Sequence, residues 1–171
     1  MSWDTIERKT SVAEIQSNKR RNRYKDIVPY DYNRVCIAPP YKINGDTDPH
    51  DYINASFVSD VFTGAPRKYI AAQGPGLDTT PAFWQMIWQY NVSVVVMLTS
   101  VVEAANNRPD RIKCIKCNKY WPDNVGDTKK FGDLQVQLFD RAEVYRIGKL
   151  LFFVMYKLVI RLPTILYASL M

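Results

Sequence analysis

Apolar and polar positions in this chain fall into stretches whose spacing predicts the elements. Phe83, Trp84, Met86, Ile87, Trp88 and Tyr90 cover a broad helical face behind Thr80 and Pro81. Proline at the first helical position gives up no needed hydrogen bond, so a deeply packed helix is expected from there. Val92 through Leu98 is almost uninterrupted and β-branched, which predicts a strand covered on both faces. Leu134-Gln135-Val136-Gln137-Leu138 alternates cleanly and predicts a half-exposed strand. Arg34–Ile37, Tyr52–Val58 and Tyr69–Ala72 also read as strands, separated by turns at Pro29, Pro39-Pro40, Asn44–Pro49 and Gln73–Gly76. Residues 3–17 predict a short amphipathic helix, with Ser11-Val12-Ala13-Glu14 in capping-box form. Helix between strands, the second strand buried, argues for α/β layers. No repeat and no linker is visible.

The last stretch, residues 150–171, is mostly apolar but is interrupted by Lys157, Arg161 and Pro163. A membrane span wants about 20 apolar residues, and a central Lys or Arg costs about 2.5–3.5 kcal/mol on insertion. Strands without partners, or a non-native ending, fit this stretch better than a span.

Composition narrows the class. The 171 residues are 47% hydrophobic and 23% charged, with 7 Gly and 10 Pro, which excludes disorder and collagen-like or low-complexity sequence. A net charge of +6 favours anionic partners and leaves phosphate esters, nucleic acid and acidic membrane surfaces open. Three cysteines fit a reducing compartment, and the first fifteen residues hold Asp4, Glu7, Arg8, Lys9 and Glu14 without an apolar core. An intracellular, cytoplasmic protein is expected, and the sequons at Asn54 and Asn91 are read as chance matches. The single His50 leaves little room for histidine chemistry. Cys114 and Cys117 have metal or redox spacing but no second pair, so no metal site or cofactor is expected. The basic stretch Lys19–Lys25 has no nucleic-acid-binding signature behind it.

Six segments, in order, carry a resemblance: Asn22–Ile27 with Pro29-Tyr30-Asp31 and Arg34-Val35; Asp51–Ser56; Tyr69–Pro75; Phe83–Trp88; Val95–Thr99; and Lys116–Pro122. Together they resemble the first half of the phosphotyrosine-specific, cysteine-dependent protein-tyrosine phosphatase domain. The resemblance implies an incomplete α/β fold, a twisted mixed β-sheet flanked by helices. It divides the chain into a helical lead-in at 1–16, a partial phosphatase domain at 17–145 and a divergent apolar tail at 146–171. It further implies that Tyr24 walls a cleft too deep for phosphoserine, and that Asp26 holds the peptide main chain. Arg20, Arg21, Arg23 and Lys25 would colour the rim, Glu103 would orient a phosphate-binding arginine, and Lys116 would sit at the edge. The implied partners are phosphotyrosine-containing proteins. Ala104–Arg111 are extra to the pattern, and Gly76 and Ala82 depart from it.

The family's chemistry needs a thiolate nucleophile, an arginine clamp and a general acid, the first two written His-Cys-x5-Arg. Cys36, Cys114 and Cys117 carry Lys42, Tyr120 and Asp123 at the arginine position, and none follows a histidine. Trp121-Pro122-Asp123 looks like an acid loop but completes the Lys116–Pro122 segment. No catalytic residue is therefore assigned. The resemblance fades after about residues 138–144. The expectation is a truncated, misspliced or mispredicted product without turnover of its own, or else a pseudophosphatase that binds as a decoy.

Overall fold

A computed structural model describes residues 8–38, 51–59, 69–104, 113–147 and 151–161. The chain divides into two compact units, Met1–Asn118 and Lys119–Met171. His50, Lys42 and the turn at Asn44–Pro49 lie outside the described residues, as do residues 3–7 of the first predicted helix and Pro163 in the tail.

The first unit opens with two single-turn helices, α1 (Ser11–Glu14) and α2 (Gln16–Lys19). The predicted capping box is not what starts α1. The backbone amides of Ser11 and Val12 donate to the Asp31 carboxylate at 3.0 and 3.1 Å, and the Ser11 hydroxyl donates to it as well. Glu14 Oε1 instead accepts from Thr10 Oγ1 at 2.5 Å. A carboxylate twenty residues on can satisfy the free amides of a helix start as well as a local hydroxyl can.

Strands β1 (Arg34–Cys36), β2 (Tyr52–Val58) and β3 (Tyr69–Ala72) form one antiparallel sheet in that order. Ser56 pairs with Arg34 on one side and Ala71 on the other. Arg34 donates to Asp51 at 2.7 Å. Burial is the largest single influence and works against the Arg34 charge, but the bond to Asp51 together with the negative charge of Asp51, Asp31 and Cys36 outweighs it and raises the pKa. Helix α3 (Thr80–Gln89) starts one residue earlier than its sequence suggests, with Thr79 as N-cap. It buries Ala82, Phe83, Trp84, Met86 and Ile87. Trp88 shares the face of Trp84 by spacing yet is 40% exposed, since a face is buried only where something lies over it. Gln89 fastens α3 to β1: its Oε1 accepts from Ala38 N at 2.5 Å and its Nε2 donates to Cys36 O at 3.0 Å. Past the C-cap Tyr90, Asn91 takes a left-handed φ of 49°, which lets Val92 N reach Ile87 O at 3.0 Å.

The strand expected over Val92–Leu98 is absent. Those residues join no ladder, with Val94 75% and Leu98 91% exposed. A β-branched apolar run becomes a buried strand only when neighbours hydrogen-bond its edges, and the described residues offer it none. Beyond it, β4 (Val102–Ala104) pairs antiparallel with β5 (Lys113–Ile115).

The second unit is an antiparallel sheet of β6 (Thr128–Phe131), β7 (Leu134–Ile147) and β8 (Leu151–Arg161), with β7 central. The alternation predicted at 134–138 holds: Leu134, Val136 and Leu138 are buried while Gln135 faces out. Residue 145 lies inside β7, and the apolar stretch from Leu151 to Arg161 pairs with it as β8, Val136 opposite Ile160. No helix among the described residues is long and apolar enough to cross a membrane. Helices and antiparallel strands thus share the chain, as in part of an α/β domain.

Candidate functional site

The loop from Asn22 to Ile27 is tied at both ends by one buried carboxamide. Asn54 Nδ2, on β2, donates to Asn22 Oδ1 at 3.0 Å and to the Ile27 carbonyl at 2.9 Å. Asn22 Oδ1 also accepts from the Tyr52 hydroxyl at 2.6 Å. Burial pushes the Tyr52 phenol up to about 12, further than its hydrogen bond to Asn22 draws it down. The buried, bonded Asn54 amide has no room for a glycan, in keeping with a chance sequon.

Inside these ties the backbone amide of Arg23 donates to Gln73 Oε1 at 2.9 Å, and Gln73 Nε2 donates to Arg21 O at 2.7 Å. The Arg23 guanidinium reaches three carbonyls: Gly74 O from Nε and Nη2 at 3.2 and 3.1 Å, Pro75 O at 3.1 Å and Ile115 O at 2.9 Å. Arg21 is buried, with Nη1 donating to Tyr52 O at 3.3 Å. Two of the four cations expected at the rim are therefore turned inward. A run of charge has no preferred side, and here backbone carbonyls far along the chain, at Tyr52 for Arg21 and at Gly74, Pro75 and Ile115 for Arg23, draw in its guanidinium groups.

What remains outward is Tyr24, Lys25 and Asp26, all exposed, together with Arg20. Tyr24 is 41% exposed, and its hydroxyl accepts a hydrogen bond from Lys116 Nζ at 3.2 Å. The same ammonium lies 5.6 Å from the ring centroid. Lys116 and Tyr24, ninety-two residues apart, thus form an aromatic wall with a cation beside it. Glu103 lies in β4 at the register position opposite Cys114, and Lys116 N donates to Val101 O at 3.1 Å just before that strand.

Gly74 makes the close approach possible. A Cβ there would stand 2.7 Å from Lys116 O and 3.0 Å from Cys117 Cβ. Cys117 is buried, and burial pushes its thiol up more than the nearby Arg23 charge pulls it down. It is a protonated packing group, the reverse of an activated nucleophile. Asp123, in the other unit, bonds to Lys119, whose hydrogen bond and charge hold the carboxyl below its usual range. Ionised at neutral pH, it has no proton to give a leaving group. Among the described residues no group of three or more His, Cys, Asp or Glu could hold a metal.

The sequence singles out Tyr24 and Lys116, which the structure brings side by side, but not Asn54 and Gln73, which hold the loop. Both stood in the quoted segments, and a buried amide beside a loop is a signal for this role only after the partners are known.

The profile of the family described as protein-tyrosine phosphatase matches residues 18–151. Receptor-type tyrosine-protein phosphatase C of Homo sapiens is 45% identical over 135 residues, covering 78% of this chain and 9% of that protein. Tyrosine-protein phosphatase 69D of Drosophila melanogaster is 41% identical over 131 residues, 77% of the chain and 8% of the relative. Tyrosine-protein phosphatase non-receptor type 12 of Homo sapiens is 35% identical over 131 residues, 77% and 15% respectively. The chain therefore spans a small part of the length of these relatives.

Proposed function

The chain belongs to the protein-tyrosine phosphatase family, and from that premise we propose that it supplies the phosphotyrosine-recognition wall of the phosphatase domain without catalysing turnover itself. In this reading residues 17–145 carry the domain portion, after an N-terminal lead-in at 1–16 and before a divergent apolar tail at 146–171. The observation that carries the reading is the exposed Tyr24 ring with Lys116 Nζ on its hydroxyl, on a loop tied at both ends by Asn54. An aromatic face packs a phosphotyrosine ring, the Lys116 cation favours its phosphate, and Asp26 accepts from peptide amides. Glu103 has the supporting role that the resemblance implies.

These 171 residues contain no His-Cys-x5-Arg, so they bring no thiolate and no arginine clamp to phosphorus. Recognition without turnover is also what a decoy would do. The exposure of Tyr24 and Asp26 favours that second reading, in which the chain sequesters phosphotyrosine proteins in the reducing cytoplasm. Fluorescence anisotropy with a labelled phosphotyrosine peptide and its phosphoserine counterpart separates these outcomes from no function. We expect preference for phosphotyrosine, its loss in Tyr24→Ala, and no hydrolysis of an aryl phosphate. Equal affinity for both peptides would remove the recognition reading, and thiol-dependent hydrolysis would remove the claim of inactivity.

A further inference from the structure

Arg23, which the resemblance places among the substrate contacts, lies beside both members of the Tyr24–Lys116 wall. The Arg23 guanidinium bridges two segments distant in the chain, the turn at Gly74-Pro75 and the end of β5 at Ile115. On one side its chain neighbour is Tyr24; on the other, the residue after Ile115 is Lys116. One planar group thus ties the chain next to both members of the pair that meet at 3.2 Å. Gln73 completes the circuit by accepting from the Arg23 amide and donating to Arg21 O. A lysine at this position has a point charge without a fork and cannot span three carbonyls. We infer that Arg23, seated by Gln73, is a positioning residue that determines selectivity for phosphotyrosine over phosphoserine by holding Tyr24 against Lys116, and does not itself contact the peptide.

The inference rests on the recognition reading, and its test has one arm that does not. The full chain is labelled with 3-fluorotyrosine, and the Tyr24 ¹⁹F resonance is identified by its loss in Tyr24→Phe. In Arg23→Lys that resonance moves toward the position of free tyrosine, whereas in Lys25→Met it stays. An unmoved resonance in Arg23→Lys overturns the inference, whatever the peptides do. In the second arm, the ratio of phosphotyrosine to phosphoserine peptide affinity falls about tenfold in Arg23→Lys, the scale of one lost charge-assisted bond. In the Tyr24→Ala background the same substitution changes nothing further. A loss that persists there makes Arg23 a peptide contact and overturns the inference. If the parent chain binds neither peptide, recognition fails and the fluorine arm alone decides. If Arg23→Lys loses its circular dichroism, Gln73→Glu, which keeps the acceptor and loses the donor, takes its place with the same outcomes.

Discussion

The Asn54 carboxamide and the Arg23 guanidinium between them hold a six-residue loop with bonds that reach forward to β2 and to the end of β5. Neither role is legible at the residue scale from sequence. Asn54 reads as a sequon and Arg23 as one cation among several, because a side chain's direction depends on partners far along the chain. Gly74 belongs to the same group, since its missing Cβ lets the turn close on Lys116 and Cys117. Gly74→Ala is expected to lower stability by about 1–3 kcal/mol through overpacking against backbone. A thermal midpoint unchanged from the parent would mean that the turn does not lie against residues 116–117. Tyr52 gives a pH prediction. Its phenol is raised from 10.0 to about 12 in the folded chain, so between these values the unfolded state loses its proton first. Stability from this group is full below pH 10 and is lost as pH rises through 12. Urea midpoints should fall over that window in the parent and fall less steeply in Tyr52→Phe; parallel slopes would assign the titration elsewhere.

Among the elements, β2, β3 and α3 are where their patterns place them, because each pattern meets a partner that rewards it. Val92–Leu98 shows the opposite case. Its side chains fit a buried strand, but strand formation also needs hydrogen-bonded edges, and these come from other segments. The result is a run without charge, proline or glycine that stands largely exposed. Such a run is a self-association hazard, which a single edge charge blunts. Val96→Lys is accordingly expected to lengthen the lag before aggregation, followed by light scattering, while far-ultraviolet circular dichroism stays the same. An equal lag in parent and variant would show that the aggregating element is another one. The apolar stretch after Leu150 differs again: Leu151–Arg161 finds β7 as its partner and is a strand.

On the scale of the whole molecule, the net charge of +6 allows any anionic partner and selects none. In the proposed reading, selection comes from the few groups that tertiary structure brings side by side, here Tyr24 and Lys116. The sequence by itself determined the family, the α/β character, the main strands and α3, and the absence of a thiolate–arginine signature from these residues. These are properties of local spacing and of motif order, and they survive without knowledge of contacts. Only the tertiary structure decided which cations of Arg20–Lys25 face solvent, what caps α1, what holds the Asn22–Ile27 loop and whether an apolar run becomes a strand. Each of those depends on which distant polar groups come within about 3 Å of one another, since a buried donor or acceptor must find a partner wherever the fold supplies it.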